Sequence, residues 1–198
     1  MTQRALFDTA PELPGASLDF YAQIGLDDKD LLQRLIGEIP WRQEDITVFG
    51  KTYPQPRLLA WYGDPEASYT YSGILHEPLP WTDLLLEIRE AVHAVCATTF
   101  NSVLLNYYRD GRDSMGMHAD DESELGPEPV IASLSLGEER TLRFRHKRRK
   151  TEPGLDLPLP SGSLLVMRGT TQQHWKHGIN KLRRPCGPRV NLTFRQVY

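Results

Sequence analysis

The sequence predicts a mainly-β, α+β protein: a jelly-roll core (a double-stranded β-helix) with supporting helices packed outside it. Two observations carry this. From Val103 onward, short apolar or alternating runs are separated by Gly and Pro, the pattern of a sandwich or barrel built from many short strands. Before that, two stretches beginning near Asp27 and Thr82 carry apolar residues at helical spacing. At 198 residues the chain suffices for one domain with a real core and is short for two. One domain is therefore expected over 18–198, after a flexible tail at 1–17. Residues 18–100 would supply helices and a hairpin, and 101–198 the jelly roll.

Residues 1–17 are polar, Pro-bearing and unpatterned, which predicts the tail. Within it, Gln3-Arg-Ala-Leu-Phe7 resembles the Q-x-x-L-F peptide that docks on the bacterial sliding clamp, so a clamp partner is an expectation resting on those residues. Residues 18–24 alternate weakly, as a strand would. Asp27 can cap a helix running to about Ile39, with Leu31, Leu32, Leu35 and Ile36 on one stripe. Residues 46–50 and 57–62 read as strands joined by a Pro-rich turn, a hairpin, and 69–71 as another short extended piece. Thr82 opens the best-marked helix, with Leu84, Leu85, Ile88, Val92 and Val95 at helical spacing; its histidine, His93, reads as structural. Strands then follow at 103–108, 130–136, 141–146, 163–167 and 189–197.

Composition is that of an ordinary globular chain, with 39% hydrophobic and 25% charged residues. No secretory signal pattern and no apolar run of membrane length is present, so a cytoplasmic protein without a membrane partner is expected. Cys96 and Cys186 stand far apart with no C-x-x-C, which predicts reduced thiols. Net charge is −3, so overall charge predicts no polyanionic partner. Distribution says more: Arg143 to Lys150 reads RFRHKRRK, and Lys181-Leu-Arg-Arg184 forms a second basic block. Blocks flanking a candidate site favour phosphate contacts.

The chemistry concentrates in Asn106 to Glu122, NYYRDGRDSMGMHADDE, and in HWKHGIN at 174–180. His118 and Asp120 are two residues apart, so on an extended backbone both point to one side. An imidazole and a carboxylate, joined by a second imidazole from elsewhere, make a three-ligand facial site that leaves open positions on Fe(II). In the last strand, positions 189, 191, 193 and 195 share one face as Arg, Asn, Thr and Arg, while Val190, Leu192 and Phe194 share the other. Two guanidinium groups turned into a barrel need anions, and a dicarboxylate suits both because Arg forks match carboxylates bidentately. Asn106 and Tyr108 alternate likewise on the strand before the metal loop.

Together, the N-x-Y strand, H-x-D-D-E, H-W-x-H and terminal R-V-N-L-T-F-R, in that order, resemble the AlkB family of Fe(II)/2-oxoglutarate-dependent nucleic-acid dealkylases. The resemblance covers roughly residues 45–198. It implies His118, Asp120 and His177 as catalytic iron ligands. His174 is a rival for the third place, but the family's ligand is the second histidine of H-W-x-H. It further implies Arg195 against the far carboxylate of 2-oxoglutarate, with Arg189, Asn106, Tyr108 and Asn191 completing that site. Asp121 and Glu122 are similar to the family's acidic residues near the damaged base.

Val48-Phe49-Gly50-Lys51, Pro56-Arg57 and Tyr62-Gly63-Asp64 resemble the nucleotide-recognition hairpin of the duplex-preferring homologues. There an aromatic residue, here Phe49, wedges into the gap left by the extruded base; the alternatives are an exposed aromatic side chain at the hairpin tip or a Phe49 folded inward as core. Taking a base out of a duplex costs a few kcal/mol, least at a damaged pair. Tyr69, Tyr71 and Ser72 resemble the base-pocket wall, and Arg145, Lys147, Arg148 and Arg149 become candidate phosphate contacts.

The activity implied is oxidative demethylation of 1-methyladenine and 3-methylcytosine in alkylated DNA, with Fe(II), 2-oxoglutarate and O2 as cofactors and ascorbate as the reductant in vitro. Succinate, CO2 and formaldehyde are released and the base is restored directly. A monomer is expected, cytoplasmic and nucleoid-associated when acting on DNA. Rival readings are the same chemistry on RNA or single strands, favoured if Phe49 is no wedge, and a 2-oxoglutarate-dependent hydroxylase of proteins or small molecules. A non-catalytic nucleic-acid-binding jelly roll would require loss of a ligand set that the sequence retains.

Overall fold

The computed structural model of the chain describes residues 12–48, 50–71 and 74–198. The first hundred residues form β1 (Ser17–Tyr21), helix α1 (Asp28–Glu38), β2 (Asp45–Val48), β3 (Lys51–Pro54), β4 (Leu58–Gly63), β5 (Tyr69–Tyr71), β6 (Ile74–His76) and helix α2 (Asp83–Cys96). The rest forms β7 (Ser102–Tyr108), β8 (Met115–His118), β9 (Ile131–Gly137), β10 (Arg140–His146), β11 (Leu155–Leu159), β12 (Leu164–Arg168), a single turn of helix α3 (Thr171–His174), β13 (Trp175–Ile179) and β14 (Arg189–Arg195). Six strands make one antiparallel sheet in the order β1-β12-β9-β14-β7-β4, and four make a second in the order β11-β10-β13-β8.

Strand alternation sorts the core into two layers. Val190, Leu192 and Phe194 of β14 pack outward from the six-stranded sheet, against Leu31 and Leu35 of α1 and Leu85, Ile88 and Val92 of α2. Between the two sheets lie Phe20, Tyr108, Leu142, Phe144, Leu165 and Trp175. Both helices begin as the sequence expects. The Asp27 side chain accepts from the Asp30 N–H, and the Thr82 hydroxyl from the Leu85 N–H, each satisfying a donor the first turn leaves free. His93 is structural: its Nε2 accepts the Phe100 N–H at 2.9 Å.

Three expectations change. The partner of β2 is β3, in register from Asp45↔Pro54 to Val48↔Lys51, and not residues 57–62. That later segment is β4, which pairs with β7 from Leu58↔Tyr107 to Gly63↔Ser102. The reason is burial: Leu59, Ala60 and Tyr62 of β4 belong to the core, whereas β3 is exposed throughout. The expected tail of 1–17 is shorter, because Leu13 is buried, Trp175 Nε1 donates to the Pro14 carbonyl at 3.0 Å, and Ser17 pairs with Arg168. Residues 1–11, with the clamp-like Gln3–Phe7, lie outside the described residues. Finally, the jelly roll is not confined to 101–198, since β1 and β4 are the edges of its larger sheet. Among the described residues no helix is long and apolar enough to cross a membrane.

Candidate metal centre and cofactor pocket

The site starts from one cross-strand pair. On the antiparallel neighbours β13 and β8, His177 stands directly opposite His118, and the register then shifts before Ile179↔Met115. Gly178 sits at the shift. A Cβ there would lie 2.9 Å from the carbonyl oxygens of both Met115 and Gly116, so a residue without a side chain is what lets the two strands close. The imidazole rings lie 4.5 Å apart. His118 Nδ1 is 3.0 Å from the Gly116 carbonyl; donating there, it leaves Nε2 as the free lone pair.

Asp120 lies beyond the end of β8 and is placed by contacts, not by strand alternation. Its Oδ1 accepts from Arg195 Nη2, its Oδ2 is 3.5 Å from His177 Nε2, and its backbone N–H donates to Gln172 Oε1 at 3.1 Å. One ligand atom from each of His118, Asp120 and His177 falls within a 4.8 Å cluster. Burial alone would raise the Asp120 carboxyl, but Arg195, His177 and His118 override it and hold it well below the usual range. Burial and the neighbouring His177 lower the His118 imidazole, favouring its neutral, ligating form. Asp120 Oδ2 and His177 Nδ1 are buried with no hydrogen-bond partner among the described residues. Two imidazoles and a carboxylate converging, with an acceptor oxygen unused, fit a divalent iron.

A cavity adjoins the cluster between the sheets. Its polar wall is Arg189, Asn191, Thr193 and Arg195 of β14 with Tyr108 and Ser133; Leu142, Leu159, Met167 and Ile179 form an apolar wall. Arg189 is 2% exposed. It donates to Ser135 Oγ at 3.0 Å and stacks over Tyr108 at 5.0 Å, while its Nε and Nη1 have no partner among the described residues. A buried cation with idle donors is unfavourable unless an anion completes it, so the fit to a carboxylate ligand rests on Arg189. Arg195 touches Asp120 and so lies at the metal end of the pocket, and its Nε, like the Nε and Nη1 of Arg189, is buried without a partner among the described residues.

Other expected residues divide. Asn191 donates to Ser133 Oγ at 2.8 Å and to the Leu134 carbonyl. Asn106 faces Asn191 across the strand pair, but its Oδ1 accepts from Arg57 Nε at 2.7 Å and it does not line the cavity. Asp121 is exposed and paired with Lys147 at 2.6 Å. Glu122 has its carboxyl raised by burial, with Arg195 opposing and Asp120 and Asp121 adding to the rise. Arg145 is committed to Asp156 at 2.8 Å, and Arg143 shares the same carboxylate. Arg145 and Lys147 thus each already have an acid partner. His174, the rival ligand, stacks on His146 away from the cluster. Tyr69 and Tyr71 are the ends of β5; Phe49 and Ser72 lie outside the described residues.

Two residues, Gln172 and Arg140, escaped the sequence reading, and Arg57 was read only as part of the hairpin. Arg57 and Gln172 reach their partners through tertiary contacts that no local pattern encodes. Arg140, 2% exposed, donates to the carbonyls of Asp113 at 3.0 Å and Asn180 at 2.5 Å, tying together the loops after β7 and β13. Its alternation with Leu142 and Phe144 could have marked it as inward-facing.

Comparison with known proteins agrees with this geometry. A family model described as the 2OG-Fe(II) oxygenase superfamily matches residues 26–195. The mouse (Mus musculus) alpha-ketoglutarate-dependent dioxygenase alkB homolog 3 is 46% identical over 176 residues, covering 85% of this chain and 61% of that protein. The human (Homo sapiens) DNA oxidative demethylase ALKBH2 is 46% identical over 158 residues, covering 77% of this chain and 60% of that protein. The mouse protein of that name is 40% identical over 193 residues, covering 92% and 81%. The chain thus spans about 61% of the length of the first of these relatives. A solved structure, "The structure of OsALKBH1", has a TM-score of 0.60 at 19% identity over 94% of this chain and all of that one, and supports the fold alone.

Proposed function

This chain belongs to the 2OG-Fe(II) oxygenase superfamily and, within it, to the AlkB family, and from that premise we propose that it is an oxidative demethylase of alkylated DNA. The observation that carries the reading is the His118–Asp120–His177 cluster opening onto a wall that holds the buried, incompletely paired Arg189. A metal site alone would fit many reactions; a metal site beside a buried anion receptor fits a keto-acid-dependent oxygenase. Oxidation of an N-methyl carbon by O2, with 2-oxoglutarate converted to succinate and CO2, is the chemistry iron(II) supplies in such a site.

The chain's own residues do the positioning. His118, Asp120 and His177 would hold the metal. Arg189 would take the far carboxylate of 2-oxoglutarate, with the Tyr108 ring beneath it, and Asn191 would complete the polar wall. Arg195 fixes the Asp120 carboxylate so that Oδ2 faces the imidazoles. The apolar side chains Leu142, Leu159 and Ile179 keep bulk water from the opposite wall. DNA as substrate is carried over from the names of relatives called DNA oxidative demethylase, and the exposed basic turn at 148–150 is consistent with a polyanion.

The test is repair of a 3-methylcytosine oligonucleotide, single-stranded and duplex, with Fe(II), ascorbate and 2-oxoglutarate, read as formaldehyde release. Wild type is expected to repair it, and Asp120→Ala to lose at least about 100-fold, the size of effect expected when a metal ligand or its support is lost. Phe49→Ala is expected to lower duplex repair more than single-strand repair. Slow succinate formation without repair of any alkylated DNA would overturn the substrate and leave the cofactor chemistry standing.

A further inference from the structure

Asp120 is the one ligand of the cluster that no strand places. His118 ends β8 and His177 lies within β13, each fixed by its ladder. Asp120 falls between β8 and a 3-10 turn at Ser123–Leu125, and the residue is 2% exposed. A buried N–H requires an acceptor, and here it is the Gln172 side chain, at 3.1 Å.

Gln172 is built for that role from both ends of its amide. It is 1% exposed. Oε1 accepts the Asp120 N–H, and Nε2 donates to Met167 Sδ at 3.4 Å, so the amide cannot turn over without losing both partners. Its backbone is anchored just before it: Thr171 Oγ1 donates to the Arg168 carbonyl at 2.6 Å and accepts the Ser17 N–H at 2.9 Å. Those contacts tie α3 to the edge pair β1–β12. The same short segment leads directly into β13 and His177. One side chain, rooted in the six-stranded sheet, therefore links the ligand-bearing loop to the segment that delivers the third ligand from the other sheet.

We propose that Gln172 is a positioning residue for the metal centre, setting the backbone of Asp120 so that its carboxylate meets His118 and His177. The inference rests on the reading of those three residues as metal ligands. Without Gln172 the Asp120 N–H is left buried and unpaired, and the loop relaxes toward solvent or another acceptor. The carboxylate is then no longer held at 3.5 Å from His177 Nε2, and the facial arrangement loosens while the strands stay in place.

The test is Co(II) binding to the metal-free, full-length protein, followed by the visible ligand-field bands, with thermal melting of each metal-free variant in parallel. Asp120→Ala, Gln172→Leu and Gln172→Asn are compared with wild type; Asn keeps the amide one methylene shorter, out of reach of the Asp120 N–H. The expected result is that Asp120→Ala abolishes the bands, and that both Gln172 variants weaken Co(II) binding by about 10- to 100-fold with altered bands. Wild-type affinity and band shape in a folded Gln172→Leu or Gln172→Asn would overturn the proposal. Should Leu prevent folding, Asn decides. Unchanged bands in Asp120→Ala would overturn the ligand assignment itself, which separates that failure from failure of the Gln172 role.

Discussion

At His93 a single proton changes what the residue can do. Its Nε2 accepts the Phe100 N–H, which only a ring unprotonated at that atom can do. Burial lowers the ring's pKa, with Glu90 and Asp64 opposing and Arg89 assisting, so the folded value lies below the unfolded one of about 6.5. Between the two values the unfolded chain binds more protons, and stability rises with pH there. Stability is therefore lost as pH falls from about 6.5 toward the folded value; His118, also depressed by burial, acts in the same direction in the metal-free protein. His93→Leu is expected to lower stability by about 1 kcal/mol at neutral pH, by stranding the Phe100 N–H. It should also flatten the acid limb of a plot of denaturation midpoint against pH. Parallel curves for variant and wild type would refute the role. Cys96 illustrates the opposite case: burial pushes its thiol up to about 11, so it behaves as a core side chain, not as a nucleophile.

Among the elements, the β8–β13 pair is where geometry is tightest. Gly178→Ala would set a methyl group against two backbone carbonyls at 2.9 Å, and backbone cannot give way as a flexible side chain can. The strands must part, carrying His118 away from His177, while the helix-backed layer of Leu85, Ile88 and Val92 lies on the far side of the other sheet. The expected outcome is weaker Co(II) binding with a modest change in melting temperature. Retained affinity, or collapse of the whole fold, would show that the strand separation is not what Gly178 protects. The hairpin β2–β3 is a contrasting element. Ile46 and Tyr53, opposite one another, are 45% and 50% exposed, so little core stabilisation fixes it and its surface is available for contact.

For the whole molecule, net charge of −3 conceals an uneven field. Within the block at 143–150, Arg143, Arg145 and Lys147 face acids Asp156 and Asp121, whereas Arg148, Arg149 and Lys150 are exposed and make no ion pair among the described residues. Counterion release ties the salt dependence of nucleic-acid binding to the number of phosphates neutralised. Arg148→Ala and Arg149→Ala should each reduce the slope of log affinity against log salt by about 1 if they contact phosphate. Arg145→Ala and Lys147→Ala should change it less, because each cation already has an anion. Fluorescence anisotropy with a labelled oligonucleotide over a salt series measures this, and the reverse ranking would mean that the ion pairs open on binding.

Sequence alone determined the features encoded by period and composition. Helix caps at Asp27 and Thr82 and the two-faced β14 are local statements, since a period of 2 or 3.6 residues assigns each side chain to a face; the H-x-D segment named two ligands, but contacts and not alternation placed Asp120. Tertiary structure alone decided what depends on which strand lies beside which. It gave β3, not residues 57–62, to the hairpin, and brought β1 and β4 to the jelly roll. It set Arg195 at the metal end and left Arg189 short of an anion, and it sent Gln172 across to Asp120, 52 positions away. The physical reason is that a strand's alternation fixes the direction of its side chains but not its neighbours. Neighbours are chosen by burial and hydrogen-bond satisfaction summed over the whole fold.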